Sequence, residues 1–538
     1  MPTRLVSRAA LAVAAVLPLA LVVGGSAAAE PIPGRAVRTA PGYVVAQAPP
    51  TDTPDTLRDG VPSLPRRDVA KVKKSQQAAR AAAAVDDPAW VTGYRTTSVQ
   101  LRRLPMEQRT VGAREALVPI GGDGIVDAQG VRMFRIAGDA RLWNHPVAQA
   151  QYALRNLESF RRTRNTVYLN RATANAQRLI DRRVESRGGW FYPYDFDFAV
   201  HGITAETLVA PWYSAMAQGQ SLSVFVRLYE LTGDQRWRDA ADPTMVSLRL
   251  APVEGQPLAS WVSAEGDLWL EEYPRWPVAN SERVLNGHLF AADGLYEYAL
   301  LTGDPVAVEL YDAAITTARR YVLNGFRVPS WASAYCLRHR TPSLNYHKVH
   351  IGQMLMVQHQ TGIFWYPLAA NTLRADFALV TTAGQAQLTP KSTVAYQLDT
   401  ARNITRSRSV KFTRTTGAPV DRRERTANGG PIMLRVSSGS FTNWWFPEGA
   451  GKAWVQGAVE VHEYDPQLTV VFHPGTYSAY RLDAAGRIAG SKTVTISRDS
   501  SAPVPRSAIV AARPSYYLAV GAFAGYWVPL NSKIVVTG

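Results

Sequence analysis

Cysteine is nearly absent: Cys336 is the only one in 538 residues. No intrachain disulfide can form, so a packed core rather than covalent staples must hold the fold. No finger, RNP or helix-turn-helix pattern occurs, and the basic residues are scattered. Both facts argue against a nucleic-acid partner. Beyond the first 30 residues no run is long and charge-free enough to cross a bilayer, so no transmembrane segment is expected. Acidic residues are outnumbered, 43 against 59 Lys and Arg.

What is present begins with "MPTRLVSRAALAVAAVLPLALVVGGSAAAE". A basic start at Arg4 and Arg8, an apolar run and the small residues Ala27 to Ala29 read as a secretory signal peptide over 1–29. The mature chain is expected to be secreted, extracellular or associated with the cell envelope. Removing 1–29 takes two Arg and no acid, lowering the net charge from +16 to +14. A basic exported protein favours a polyanion such as an acidic polysaccharide. A generally basic surface with no particular partner is the alternative. The 14 Trp and 23 Tyr suit a polymer-binding groove, although cores use aromatics too. At this length two or three domains are expected, and a homodimer is left open.

Residues 30–90 read as a Pro- and Ala-rich linker, with a short helix over "VKKSQQAARAAAAV". Residues 91–142 read as a short lead-in containing a few strands. Helical periodicity then begins near His145 and runs through 143–383. It forms pairs such as "PWYSAMAQGQSLSVFVRLYELTGD" with "QRWRDAADPTMVSLRL". Pro211 suits a helix start and Gly233 a helix stop. "LTGD" closes two long apolar helices, at Leu231–Asp234 and Leu301–Asp304. Repeated hairpins with very apolar first helices predict an (α/α) barrel or toroid as the catalytic domain. Its rim loops would form a cleft.

Residues 384–538 read as β-rich, with two repeated modules. "VAYQLDTARNITRSRSVKFTR" matches "SAYRLDAAGRIAGSKTVTISR", and "SSGSFTNWWFPE" matches "AVGAFAGYWVPL". Tyr396 and Tyr480 are 84 residues apart, and Trp445 and Trp527 are 82 apart. The aromatic pairs Trp444–Trp445 and Tyr526–Trp527 suit either sugar stacking or a core.

Three segments carry candidate chemistry. In "DLWLEEYPRW" a carboxylate among aromatics loses solvation of its charged form, which makes Glu272 a better base, with Tyr273 as a partner acid. A helix cap or an ion pair with a nearby Arg would explain Glu272 equally. In "SAYCLRHRTPSLNYHKVHIG", Arg338 can grip a carboxylate in a fork, and Tyr335 and Tyr346 can exchange protons or simply pack. His347 and His350 have H-x-x-H spacing, but no Glu stands at the zincin position. Ordinary hydrogen-bonded histidines are expected there, and no metal is assigned. In "PWYSAMAQGQS", Trp212, Tyr213, Gln218 and Gln220 suit sugar stacking and hydrogen bonding. Ala215, Ala217 and Gly219 would equally let helices approach closely.

Together "PWYSAMAQGQS", "WLEEYPRWPVANSERVLNGHLF" and "AYCLRHRTPSLNYHKVHIGQ" resemble the C-terminal catalytic region of D-glucuronyl C5-epimerases, which act on heparan-type polysaccharides. The resemblance spans roughly residues 130–360. It implies an (α/α) barrel, a polymeric uronic-acid substrate of glycosaminoglycan type, and no organic cofactor. It implies that Glu272, Tyr335 and Tyr346 occupy catalytic positions. Tyr273 matches a further active-site Tyr, and Arg338 an Arg that holds the substrate carboxylate; His339 beside it is taken as substrate-binding. Some members bind calcium, but no EF-hand loop occurs here. The animal enzymes carry a substantial β-rich region before the barrel, and residues 30–130 are too short to reproduce it. The expected activity is thus an isomerase that abstracts a C5 proton and returns one from the opposite face. Rivals are a polysaccharide lyase, a glycoside hydrolase drawing a second carboxylate from Asp195 or Asp197, and a noncatalytic glycan-binding protein.

Overall fold

The computed structural model describes residues 89–136 and 138–537. The expected signal peptide, and the linker with its short helix up to residue 88, lie outside the described residues. Among the described residues eight α-helices form four consecutive hairpins: α1 (Pro146–Thr163) with α2 (Thr166–Asp181), α3 (Ala215–Thr232) with α4 (Gln235–Arg249), α5 (Leu285–Thr302) with α6 (Pro305–Tyr321), and α7 (Leu344–Thr361) with α8 (Trp365–Asp376). The first helices pack side by side in the order α1, α3, α5, α7.

The repeated "LTGD" is a stop and a start compressed into four residues. Gly233 and Gly303 take left-handed φ of 70° and 71°, which ends α3 and α5. The Asp234 and Asp304 side chains then accept from the backbone N–H of Arg236 and Val306, capping α4 and α6. The α3 helix starts at Ala215 rather than at Pro211. The backbone of Trp212 bridges to Tyr194 instead, which holds this stretch extended.

The inner helices are buried almost all round. Leu222, Phe225 and Leu295 are fully enclosed, each contributing about 1.5–3 kcal/mol by leaving water. The α3–α5 contact depends on small residues. A Cβ on Gly219 would run into the backbone of Ala291, and one on Gly294 into the backbone of Gly219. Between the same helices Arg227 grips Glu297 through two bonds of 2.7 Å. Arg109, from the lead-in, joins the pair. That lead-in, expected to hold strands, crosses the helices with one short 3-10 turn and isolated bridges such as Trp90–Leu250 and Phe134–Trp143. Its backbone is tied to the helical body by contacts such as Asp312 with the N–H groups of Thr97 and Val99.

After α8 the chain builds two seven-stranded antiparallel sheets. The first runs, edge to edge, Ala453–Val455, Leu379–Leu388, Thr416–Arg425, Ile432–Val436, Trp445–Pro447, Ser392–Leu398, Ile404–Lys411. The second runs Ile534–Val536, Ala458–Phe472, Ser500–Val510, Arg513–Leu518, Tyr526–Pro529, Gly475–Leu482, Ile488–Ile496. Numbered within each segment, the strand orders are identical. Tyr396 lies opposite Trp445 in one sheet, and Tyr480 opposite Trp527 in the other. Trp445 and Trp527 are buried.

Both sheets are fastened to α8. Arg425 donates to the carbonyls of Ala375 and Asp376. From the second sheet, His462 and Tyr464 hydrogen-bond Asn371 at 2.8 Å, and Arg374 reaches Ser507 at 3.1 Å. No helix among the described residues is long and apolar enough to cross a membrane.

Candidate active site

Glu271 and Glu272 follow a short hairpin of β5 (Ser260–Val262) and β6 (Leu268–Leu270), named after β1 to β4 at Val184–Ser186, Gly189–Phe191, Phe198–Ala199 and Thr207–Leu208. The strand delivers the two carboxylates to different tasks. Glu271 is sealed into the scaffold: it accepts from Trp261 Nε1 at 2.9 Å and from the N–H of Arg283 at 3.0 Å. Its carbonyl receives the first N–H of α3, from Ala215, at 2.7 Å. The EEY turn is thereby clamped to the start of an inner helix.

Glu272 faces a tyrosine cluster instead. The Tyr335 hydroxyl donates to its Oε1 at 3.2 Å, and Asn286 Nδ2 approaches Oε2 at 3.4 Å. The Tyr273 and Tyr335 hydroxyls are 3.3 Å apart, and the Tyr335 and Tyr346 rings pack at 4.6 Å. Glu272 is 8% exposed, and burial pushes its carboxyl up to about 7, against the downward pull of the hydrogen bonds from Tyr273, Tyr335 and Asn286. Burial and the Glu272 charge push the phenols of Tyr273, Tyr335 and Tyr346 upward. The site therefore holds a carboxyl able to exchange protons near neutrality, beside phenols that stay protonated. Gly287, in the first turn of α5, is why the carboxylate fits: a Cβ there would meet Glu272 Cβ at 2.6 Å and Cδ at 2.9 Å.

A group of packed aromatics lies beside this cluster. Trp212 stacks on Tyr194 at 3.7 Å and 7°, its indole N–H held by the carbonyl of Phe196. Phe198 stacks on Tyr273 at 5.6 Å. Tyr213 packs edge-on against Phe191. Gln218 ties Tyr192 N to Ser247 Oγ within the α3–α4 packing, and Gln220 is buried along α3. Arg338 is bonded to Glu206 Oε1, at 3.1 Å from Nη2, and stands 3.9 Å from Glu282. Asp195 is engaged by Arg182 at 2.7 Å, and Asp197 accepts from the N–H of Ala210. His347 and His350 converge on Ser333, and His347 also contacts the Leu373 carbonyl.

Of the sequence-assigned residues, Glu272, Tyr273, Tyr335 and Tyr346 come together; Trp212 stands one ring behind Tyr273. Arg338 and His339 belong to an adjacent charged cluster. In it His201, Glu282, Cys336 and His339 present ligand atoms all within 4.8 Å of one another. Asn286, Gly287, Glu206 and Glu282 escaped the sequence reading. The "CLRH" spacing of Cys336 and His339 was the one visible signal for this second cluster.

Fold and site thus define a helical-hairpin protein in which a buried carboxylate meets three tyrosines. Residues 185–371 match the family described as D-glucuronyl C5-epimerase C-terminus. A D-glucuronyl C5-epimerase of Caenorhabditis elegans is 30% identical over 186 residues, covering 31% of this chain and 28% of that protein. An uncharacterized protein, MJ1128, of Methanocaldococcus jannaschii is 24% identical over 169 residues, covering 31% of this chain and 52% of that one. The chain thus spans between a quarter and about half the length of these relatives. Among solved structures, an unsaturated glucuronyl hydrolase from Streptococcus agalactiae overlaps 43% of this chain and 57% of its own at 14% identity, with a TM-score of 0.30. The cellobiose 2-epimerase of Spirochaeta thermophila overlaps 40% and 52% at 12% identity, with a TM-score of 0.27.

Proposed function

We propose that the protein is a carbohydrate epimerase that inverts C5 of D-glucuronosyl units within an exported or cell-envelope uronan, giving L-iduronosyl units. The observation that carries this reading is the convergence of Glu272, Tyr273, Tyr335 and Tyr346 in one buried cluster inside the family-matched segment. The helical hairpins would be the frame of a toroid whose rim carries that cluster, and the paired sheets would be repeats of one module.

The C5 proton is acidic because a carboxylate is attached to that carbon. Ionised Glu272 takes the proton, leaving an enolate-like carbanion. Neutral Tyr346 returns a proton from the opposite face. Tyr335 hydrogen-bonds both Glu272 and Tyr346, so a proton passed along it restores both groups. Arg338, exchanging Glu206 Oε1 for the substrate carboxylate, stabilises the developing charge. Trp212 and Phe198 back the Tyr273 wall against which sugar rings would stack. A hydrolase needs a second carboxylate across the sugar, and the commitments of Glu271 to Trp261 and of Asp195 to Arg182 count against that role for either.

The test is incubation of defined uronans with the protein in heavy water, read by NMR at C5. Deuterium entry without chain shortening supports the epimerase. Shortening with an ultraviolet-absorbing unsaturated end selects the lyase instead, which makes the same carbanion and expels the C4 oxygen. Tyr346→Phe should abolish exchange while the fold persists, since one phenolic oxygen is lost and no large cavity opens. Full exchange in that variant would reject the role given to Tyr346.

A further inference from the structure

The geometry points to a zinc-class divalent metal site made of His201, Glu282, Cys336 and His339, next to the Glu272 centre but chemically separate from it. The four residues come from three segments distant in sequence and meet with donor atoms, not ring faces, turned inward. His201 Nε2 lies 3.4 Å from Cys336 Sγ and 3.5 Å from Glu282 Oε2. His339 Nδ1 lies 3.7 Å from Cys336 Sγ and 2.9 Å from Glu282 Oε2. A tetrahedral ion with bonds of about 2.0–2.3 Å sets its ligand atoms about 3.3–3.6 Å apart. Three of these edges already have that length to within a few tenths of an ångström. A fourth of the six edges, the 2.9 Å hydrogen bond, would lengthen modestly as the ion replaces the shared proton, and the remaining two lie within 4.8 Å.

Charge and surroundings agree with a dication. A thiolate and a carboxylate supply two negative charges, and two neutral imidazoles complete the set. The second oxygen of Glu282 is held by Arg275 at 3.4 Å, which leaves Oε2 free to ligate singly. His339 turns its other nitrogen, Nε2, to Glu206 Oε2 at 3.0 Å. This is an ion-pair contact rather than an aligned hydrogen bond; a modest turn of the carboxylate would give the outer-nitrogen bond that orients a ligating imidazole. The N–H of His339 approaches Cys336 Sγ at 3.4 Å, so the Cys-x-x-His turn already directs a donor at the sulfur. His201 reaches the cluster from a left-handed backbone (φ 55°), a conformation unusual for a residue with a side chain. Cys336 and Glu282 are fully buried. Mixed sulfur and nitrogen donors select zinc over calcium or magnesium. All four protein ligands are present, so the site is structural. It staples the turn at 201, the segment at 282 and the loop bearing Tyr335, whose ring packs edge-on against His201 at 5.7 Å.

On binding, Cys336 loses its thiol proton to solvent and the sulfur forms the metal bond. The full chain, stripped with a chelator, is titrated with Co2+ and then with Zn2+. The expected result is one equivalent of Co2+ with a thiolate-to-cobalt charge-transfer band, displaced by Zn2+, and proton release seen as buffer-dependent heat. Cys336→Ser, nearly isosteric, should lose the band and the Zn2+-induced rise in melting temperature. Glu206→Gln should keep the band and weaken Zn2+ binding about 10–100-fold. Absence of the band in the wild type, or Zn2+ stabilisation undiminished in Cys336→Ser, would overturn the assignment and leave the cluster a metal-free hydrogen-bond network. No uronan enters the assay, so its outcome is independent of the proposed epimerase activity.

Discussion

Gly287→Ala adds one carbon at the place where α5 passes Glu272. On this backbone the new Cβ would stand 2.6 Å from Glu272 Cβ and 2.9 Å from Cδ, with the carboxylate oxygen closer still. Nonbonded carbons rest at about 3.5–4.0 Å, so the glutamate must retreat by roughly 1 Å. Its backbone has little freedom to follow, because the neighbouring Glu271 is anchored by Trp261, Arg283 and Ala215. The side chain would therefore rotate away from Tyr335 and Asn286. A reacting group misplaced by about 1 Å costs on the order of 100-fold in rate, which is about 2.7 kcal/mol of barrier. The assay is deuterium incorporation at C5 of a uronan, with circular dichroism and thermal melting as controls. Alanine is the better helix former by up to about 1 kcal/mol. A variant that exchanges at the wild-type rate and melts higher would refute the claim that this glycine makes room for the carboxylate.

Three further outcomes are expected. Burial raises Glu271, Glu272 and Asp293 to about 7 from ordinary values of 4.5 and 3.8. Their folded forms favour the proton, so the stability they contribute is full below about pH 4 and is lost as pH rises toward 7. Asp293→Asn should flatten that decline in a melting-temperature profile. Over the same range C5 exchange should rise, because the base must be ionised; exchange that is flat from pH 5 to 8 would argue against Glu272. Arg227→Ala leaves the enclosed Glu297 only its 3.4 Å contact with Arg109 and should destabilise by about 3 kcal/mol in urea, with any surviving folded protein retaining C5 exchange.

Much of the helical body could be read from the chain, because its signals are local. "LTGD" holds both the left-handed stop and the side-chain cap, and the small residues of "SAMAQGQ" anticipate the contact of Gly219 with α5. The β-rich half was legible from its short alternating segments, and the spaced Tyr and Trp are cross-strand partners in each sheet. The lead-in pairs only through isolated bridges such as Val126–Arg132 and Phe134–Trp143, and its remaining backbone is tied to helices, so its alternation never extends into strands. At the site, Glu272 and the tyrosines stood out as side chains with obvious chemistry. Gly287 could not, since what matters there is a missing atom facing a residue 15 positions away. Gln218 carried the polar character of a sugar ligand, yet its amide is consumed by Tyr192 and Ser247. Nothing local joins His201 to Glu282, so the second cluster became visible only when three segments were folded together.

The twin sheets have one further implication. Every strand of the first lies before Gln456 and every strand of the second after Gly457, so the two sheets exchange no strand. The second sheet is nevertheless far from expendable. It is the one that supplies His462, Tyr464 and Ser507 to Asn371 and Arg374 on the last helix. A chain cut at the joint would keep a complete first sheet and still uncover a helix flank of orphaned amide and guanidinium groups, so loss of the second sheet would be felt in the helical half.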